Sequence, residues 1–183
     1  IMNNRRSFIT GIKSITLSTK EQKFLKKYKP WGVILFSRNI KSIKQGKILT
    51  NQIRKIFKDI NYPILIDQEG GRVNRLKKIF NAESLTGEFF GKLYVKDKKK
   101  FYDYYKIFIK QTSFLLKSLG ANINTLPVLD LRSKGSSSII GDRSFSNHPK
   151  IVSEIGDICI NSFHLNKIGT VIKHIPGHGL AKV

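Results

Sequence analysis

The sequence predicts an α/β protein built on a parallel sheet, and two observations carry that prediction. Short apolar runs typical of buried strands alternate with longer segments whose apolar residues recur at helical spacing. Each apolar run also ends in polar residues, as strands do where a parallel α/β fold places its functional groups. This pattern is typical of a TIM-type (β/α)8 barrel or of an open doubly wound sheet.

The predicted strands number about five. A closed barrel needs eight strands and usually about 250 residues. The 183 residues therefore form either an open sheet or about the first five β/α units of a barrel. The predicted strands cover residues 7–15, 32–36, 64–66 and 121–131, and a last strand opens at Gly169.

The helices are predicted from apolar spacing and from end signals. Ser18 and Glu21 have the spacing of a capping box, which places a first helix over 21–28. Gly120 suits the position just after a long helix. Residues 74–90 are irregular, and we interpret them as a long loop. The other predicted helices cover residues 42–60, 97–119 and 149–166.

The charge is large but carries no function in our interpretation. Lysine and arginine together number 34 against 12 acidic residues, a net charge of +22. Of these basic residues 26 are lysines spread over the predicted helices, whereas phosphate and base recognition favours arginine. We therefore expect neither a nucleic acid nor a membrane as partner. Charge alone keeps a nucleic-acid-binding protein as the non-enzymatic alternative.

The single cysteine, Cys159, lies in an apolar stretch, so we expect a buried, inert thiol and a reducing compartment. No sustained apolar run follows Arg5 and Arg6, and we expect neither a signal peptide nor a membrane-spanning helix.

Polar residues at the predicted strand ends are candidates for a shared site. Because the carboxyl ends of parallel strands meet at one edge, side chains distant in sequence converge there. Asp67 at such an end can accept hydrogen bonds from vicinal sugar hydroxyls. Residues 67–72 are equally typical of a turn with a solvated charge pair. Arg143 is also compatible with pairing to Asp142 or to a helix C-terminus, and Asp130 is equally compatible with anchoring a loop. The candidates are Arg38, Asp67, Asp130, Arg143, Lys173 and His174.

His174 and His178 are four residues apart, which raises the question of a metal site. Pro176 and the neighbouring glycines argue against the helix that would place both imidazoles on one face. No glycine-rich nucleotide-binding pattern is present either. We therefore predict no metal and no cofactor.

Five motifs together resemble the bacterial, single-domain β-N-acetylhexosaminidases of glycoside hydrolase family three. They occur in the order and with the spacing of that family. The motifs are residues 32–39, 66–75, 127–130, 141–145 and 173–179.

The resemblance implies a TIM-type barrel that removes terminal N-acetylglucosamine from peptidoglycan fragments, with retention of configuration. It implies an enzyme of the cytoplasm, active in peptidoglycan turnover of the cell wall. We also expect a monomer. The expected partner is a muropeptide or oligosaccharide containing N-acetylglucosamine. The residues that match the family's sugar-binding positions are Asp67, Arg75, Arg143, Lys173 and His174.

The same resemblance places the catalytic groups after this chain. The family's acid/base is a histidine paired with an aspartate in an Asp-Ser-His motif, and its nucleophile is an aspartate on a later strand. Both are expected after Val183. Residues 1–183 are thus predicted to be a single incomplete barrel domain without a catalytic residue, inactive by itself. A family-three β-glucosidase is the enzymatic alternative, and a naturally short sugar-binding module is a third.

Overall fold

The computed structural model describes residues 5–133 and 135–179. Its strands are β1 (Arg6–Gly11), β2 (Pro30–Leu35), β3 (Ile64–Ile66), β4 (Gln68–Gly70), β5 (Val73–Asn74), β6 (Ile123–Asn124) and β7 (Gly169–Thr170). Five of them form a parallel sheet in the order β1-β2-β3-β6-β7, and β4 pairs with β5 in a small antiparallel hairpin.

Helices connect the parallel strands, as βαβ crossovers require. All four predicted helices are present, and the parallel α/β arrangement is confirmed. The first helix is capped as expected, because the Ser18 side chain accepts from the Glu21 amide and Glu21 reaches back to Ser18. Gly120 ends the longest helix with a φ of 84°. The helices are α1 (Thr19–Tyr28), α2 (Ile43–Phe57), α3 (Gly87–Lys96), α4 (Lys98–Leu119) and α5 (Pro149–Leu165).

Helix α3 corrects the prediction of a loop over 74–90. It begins at Gly87, with Thr86 as its cap. Gly87 and Gly91 weaken the local helix signal, since glycine is a poor helix former. Their role is long-range: a Cβ at either position would overlap the backbone of the segment from Arg143 to Phe145. The helix therefore exists because it packs closely on a distant segment.

Two predicted strands are shorter in the structure. The first ends at Gly11 rather than at residue 15. The strand predicted over 121–131 is regular only as β6, although Val128 still forms a parallel bridge to Lys173. The backbone thus stays aligned beyond the regular ladder, which extends the carboxyl edge of the sheet by several residues.

The core lies between the sheet and the helices. Ile64 and Ile66 of β3 are completely buried, and an aromatic group on the helices packs above the sheet, with the Phe90 and Tyr105 rings 4.7 Å apart. Each fully buried large apolar side chain contributes about 1.5–3 kcal/mol. Cys159 is buried as predicted, and this burial raises the pKa of its thiol to about 12.

Within the described residues, none of the helices combines the length and the apolar character needed to cross a bilayer.

Replacing Gly91 by alanine tests the close packing of α3. The new methyl group would overlap the Phe145 carbonyl, which cannot move independently of its backbone. We expect Gly91→Ala to lower the free energy of unfolding by about 1–3 kcal/mol in chemical denaturation.

Gly46→Ala is the matched control, because Gly46 is also a buried helical glycine. Its methyl group would meet the end of the flexible Leu119 side chain instead of a backbone atom. We expect a smaller loss for this variant, partly offset by about 0.5–1 kcal/mol of helix propensity. Equal losses for the two variants would contradict the packing argument.

Candidate functional site

The five predicted site residues meet at the carboxyl edge of the sheet. Asp67 directly follows β3, Arg75 follows the hairpin, and Arg143 lies in a short 3-10 turn before α5. Lys173 and His174 follow β7, and the peptide bond between them is cis. Parallel pairing of β3 with β6 and of β6 with β7 sets these positions.

Lys173 lies at the centre of the group. Its ammonium nitrogen is 3.0 Å from Asp67 Oδ1, 2.5 Å from Glu69 Oε1 and 3.0 Å from the Thr125 hydroxyl. Its backbone N–H donates to the Pro127 carbonyl, and its carbonyl accepts from Leu129. The side chain is 13% exposed, so the three partners replace water around the charge.

Glu69 is the site residue that the sequence analysis missed. Its two oxygens accept from Arg143 Nε at 2.8 Å and Nη2 at 2.9 Å, a bidentate pair. The Glu69 side chain is 5% exposed, so the interpretation of a solvated turn is wrong. Arg143 does not pair with Asp142, which instead contacts Arg72. A sequence signal was available, because alternate residues in extended chain share a face, which places Glu69 beside Asp67.

Asp67 is held ionised by its neighbours. Burial by itself would raise the pKa of this carboxyl, but the Lys173 charge, the Thr125 hydroxyl and Arg75 outweigh it and lower the pKa. Arg75 is the most distant of these, with Nη2 at 3.5 Å from Asp67 Oδ2. Its guanidinium lies over the Phe36 ring, 5.4 Å from the centroid. The contact between Asp67 Oδ2 and Arg75 is thus at the long end of the hydrogen-bond range.

His174 lies between Arg143 and Asp130 and contacts both. Its Nδ1 is 2.5 Å from Asp130 Oδ2, and its Nε2 is 3.4 Å from Nη2 of Arg143. Burial would raise the pKa of Asp130, but hydrogen bonds from the His178 amide and from His174 lower it. The imidazole is 31% exposed, so one ring nitrogen is fixed by a buried carboxylate while the ring remains accessible.

Arg38, the remaining candidate, does not join the other site residues. Its Nε donates to the Ile12 carbonyl and its guanidinium lies 4.6 Å from the Phe36 ring centroid. Among the ion pairs and hydrogen bonds of the described residues, none joins Arg38 to the acidic side chains of the site. The predicted convergence therefore fails for this residue.

His174 and His178 lie side by side, with ring centroids 5.3 Å apart. Over residues 5–133 and 135–179, no group of three histidine, cysteine, aspartate or glutamate side chains is arranged to hold a metal ion. The two imidazoles therefore have no third ligand of these types within the described part of the chain.

The site offers both acceptors and donors to a polar ligand. Asp67 provides carboxylate oxygen, while Arg75, Arg143 and Lys173 provide N–H donors. These side chains are 12–28% exposed, so they are ordered by their mutual contacts but remain accessible from the strand edge. Such a set suits a compact ligand with several hydroxyl groups.

Residues 9–183 match the family model described as the N-terminal domain of glycosyl hydrolase family 3. The chain belongs to glycosyl hydrolase family 3. The predicted resemblance and the α/β fold of the family-3 TIM-type barrel are thereby confirmed.

Family-3 relatives align over nearly all of this chain. A beta-hexosaminidase of Hydrogenovibrio crunogenus is 34% identical over 175 residues, 93% of this chain and 47% of the relative. Native NagZ from Neisseria gonorrhoeae is 28% identical with a TM-score of 0.84, over 96% of this chain and 50% of that chain. NagZ from the same organism in complex with N-trifluoroacetyl-D-glucosamine has a TM-score of 0.79 at 27% identity, over 96% and 51%. The chain spans about half the length of these proteins.

The family match leaves the roles of the individual residues as predictions. The Asp-Ser-His motif and the aspartate nucleophile were predicted to follow Val183, and residues 180–183 lie outside the described part of the chain. The structure does place Asp67, Arg75, Arg143, Lys173 and His174 together, as a shared sugar-binding role requires.

Replacing Glu69 by glutamine tests the buried ion cluster of Glu69, Arg143 and Lys173. The change removes the negative charge shared by Arg143 and Lys173. Arg143 then loses its bidentate carboxylate partner while it is buried, and Lys173 retains Asp67. Breaking a buried ion pair costs about 3–5 kcal/mol. We expect a loss of that size in the free energy of unfolding, measured by urea denaturation.

Glu88→Gln is the matched control. Glu88 also contacts two cations, Lys92 and Arg132, but its side chain is 28% exposed and those of its partners are more exposed still. Exposed pairs contribute about 0–1 kcal/mol. A loss as large for Glu88→Gln as for Glu69→Gln would show that burial does not set the cost.

The depressed pKa of Asp67 predicts an acid-dependent loss of stability. The stabilisation from a lowered pKa is fully present above the unfolded-state pKa, near 3.8, and is lost as pH falls through the lower folded-state pKa. We expect the free energy of unfolding to fall below about pH 4, and Asp67→Asn to make that fall shallower. Asp103→Asn, at an exposed position of α4, is the control. An unchanged slope for Asp67→Asn would contradict this assignment.

Proposed function

We propose that this chain is part of a β-N-acetylhexosaminidase that removes terminal N-acetylglucosamine from β-linked peptidoglycan fragments. The observation that carries the proposal is the assembled polar cluster in a family-3 chain whose curated relatives are named beta-hexosaminidases. A similar structure, NagZ, forms a complex with an N-acylated glucosamine. The partner is a muropeptide or oligosaccharide that ends in N-acetylglucosamine.

The described residues bind and orient the terminal sugar in this proposal. Asp67 accepts hydrogen bonds from sugar hydroxyls, and Lys173 and Arg75 donate to sugar oxygens. Arg143 and His174, which adjoin one another, face the acetamido group and a neighbouring hydroxyl. No metal or cofactor enters this scheme.

In this proposal, the reaction also uses groups that lie outside residues 1–183. We propose that residues 1–183 form the first five units of an eight-unit barrel and that the residues after Val183 carry the acid/base and the nucleophile. The nucleophilic carboxylate displaces the aglycone to form a glycosyl-enzyme, and water then releases the sugar with retention. We further propose that the enzyme is a monomer and that it acts in peptidoglycan turnover in the cytoplasm.

The decisive experiment compares two polypeptides on chromogenic substrates. The 183-residue chain is expected to give no turnover, whereas the protein that also contains the residues after Val183 is expected to cleave a β-N-acetylglucosaminide. Because Asp67 forms charge-assisted hydrogen bonds worth about 1.5–3 kcal/mol each, Asp67→Ala should lower kcat/KM at least about 100-fold. Asp103→Asn should leave it unchanged.

Three outcomes would contradict the proposal. Faster cleavage of a β-glucoside would favour the β-glucosidase alternative. Turnover by the 183-residue chain itself, abolished in Asp67→Ala, would place the catalytic groups within the chain. Binding to duplex DNA with a steep salt dependence, without affinity for N-acetylglucosamine, would favour a nucleic-acid-binding protein.

A further inference from the structure

We propose that Asp130 is a positioning residue that fixes His174 with its Nδ1–H directed at the Asp130 carboxylate and its Nε2 lone pair directed into the sugar site. The same carboxylate anchors the start of the loop that leads from His174 to His178. This inference rests on the proposed sugar-binding function of the site.

The hydrogen bonds of the Asp130 carboxylate are directed at one segment, residues 174–178. Its carboxylate accepts from the His174 backbone N–H at 3.1 Å, and from the His178 backbone N–H at 2.6 Å. The His174 Nδ1 contact at 2.5 Å is the third. The side chain is 1% exposed, and the ion pairs of the described residues join it to His174 alone. Within the described residues, the Asp130 carboxylate thus forms no ion pair with the cations that contact Glu69, and it serves residues 174–178.

The carboxylate determines which imidazole nitrogen carries the proton. An ionised carboxylate only accepts hydrogen bonds, so Nδ1 must be the donor in this contact. In the neutral imidazole, Nε2 is then an acceptor, and it faces Arg143 Nη2 at 3.4 Å. Arg143 can only donate, so in this structure the Nε2 lone pair accepts a long contact from it, and a sugar hydroxyl that donates to Nε2 would replace that contact. From the sequence, His174 is predicted to donate to sugar oxygens, so the acceptor role proposed here is a different one.

Asp130 also links the two other segments of the site. Its backbone carbonyl accepts from the Ser144 hydroxyl at 2.6 Å, and Ser144 directly follows Arg143. The preceding residue, Leu129, donates to the Lys173 carbonyl at 2.6 Å. These two links involve the backbone, so they remain in a variant that changes only the Asp130 side chain.

The loop geometry is adapted to this carboxylate. Gly177 has a φ of 133°, a conformation that side chains disfavour, and its missing Cβ would lie 4.0 Å from Asp130 Oδ1. This conformation lets the chain turn back so that the next residue, His178, donates its N–H to Asp130. The segment after His178 therefore starts from a fixed point next to the sugar site.

The test uses Asp130→Asn, which keeps the shape of the side chain but removes its charge. The variant amide oxygen can still accept from the His178 N–H, whereas the fixed Nδ1–H tautomer of His174 is no longer enforced. A long-range proton–nitrogen correlation spectrum of the imidazole is expected to show the Nδ1–H tautomer in the unsubstituted chain and a mixed or Nε2–H form in the variant. An Nε2–H tautomer in the unsubstituted chain would overturn the proposal, even if Asp130→Asn fails to fold.

Kinetics in the protein that contains the residues after Val183 separate positioning from a purely structural role. We expect Asp130→Asn to lower kcat/KM for a β-N-acetylglucosaminide about 10- to 100-fold, since one site hydrogen bond is weakened. In a His174→Gln background the same change should have a much smaller effect, because both residues act through one imidazole. Additive effects in the double variant, or full activity of Asp130→Asn, would overturn the proposal.

The spectroscopic and the kinetic experiment test different parts of the proposal, so a negative result in one can be told from a negative result in the other. The spectrum requires no turnover, so a protein without hexosaminidase activity still reports whether Asp130 fixes His174. Loss of the proposed function alone would leave the tautomer result intact. Asp103→Asn serves as the control in both arms and should change neither the spectrum nor kcat/KM.

Discussion

The structure depends on one buried ion cluster, in which Glu69 compensates two cations that arrive from distant parts of the chain. Arg143 is 74 residues from Glu69, and Lys173 reaches back 106 residues to Asp67. Buried charges are tolerated only when each is paired, so the strands that deliver them must lie in a definite register. The parallel pairing of β3, β6 and β7 supplies this register, and fold and site therefore depend on each other.

Close backbone packing supports the same cluster from the outside. Helix α3 lies so near the Arg143 segment that Gly87 and Gly91 have no room for a side chain. Behind this segment, the Ser144 hydroxyl donates to the Asp130 carbonyl. The backbone of Arg143 is thus held between a helix and a strand extension, and the bidentate contact with Glu69 orients its guanidinium. A residue placed this way loses little further entropy when a ligand binds.

Local signals in the sequence were sufficient for most elements but not for those created by long-range packing. The capping box at Ser18 and Glu21 and the glycine after α4 act within a few residues, and both were predicted. Helix α3 was missed because its glycines look unfavourable until the distant backbone against them is known. The strand-end rule and the family resemblance brought the five site residues together, whereas the part played by Asp130 depends on contacts that span 44 residues or more.

The environments of Asp67 and Glu69 decide which carboxylate a ligand can use. Both oxygens of Glu69 are occupied by Arg143, and one also contacts Lys173. Asp67 directs one oxygen at Lys173, while among the described residues its other oxygen has only the 3.5 Å contact with Arg75. A sugar hydroxyl can therefore reach Asp67 without displacing an existing short hydrogen bond, whereas at Glu69 it would have to break a bidentate pair. The cations that contact each carboxylate thus determine its role. Asp67 is left with an oxygen that can accept from a ligand, whereas Glu69 is a buried counter-ion.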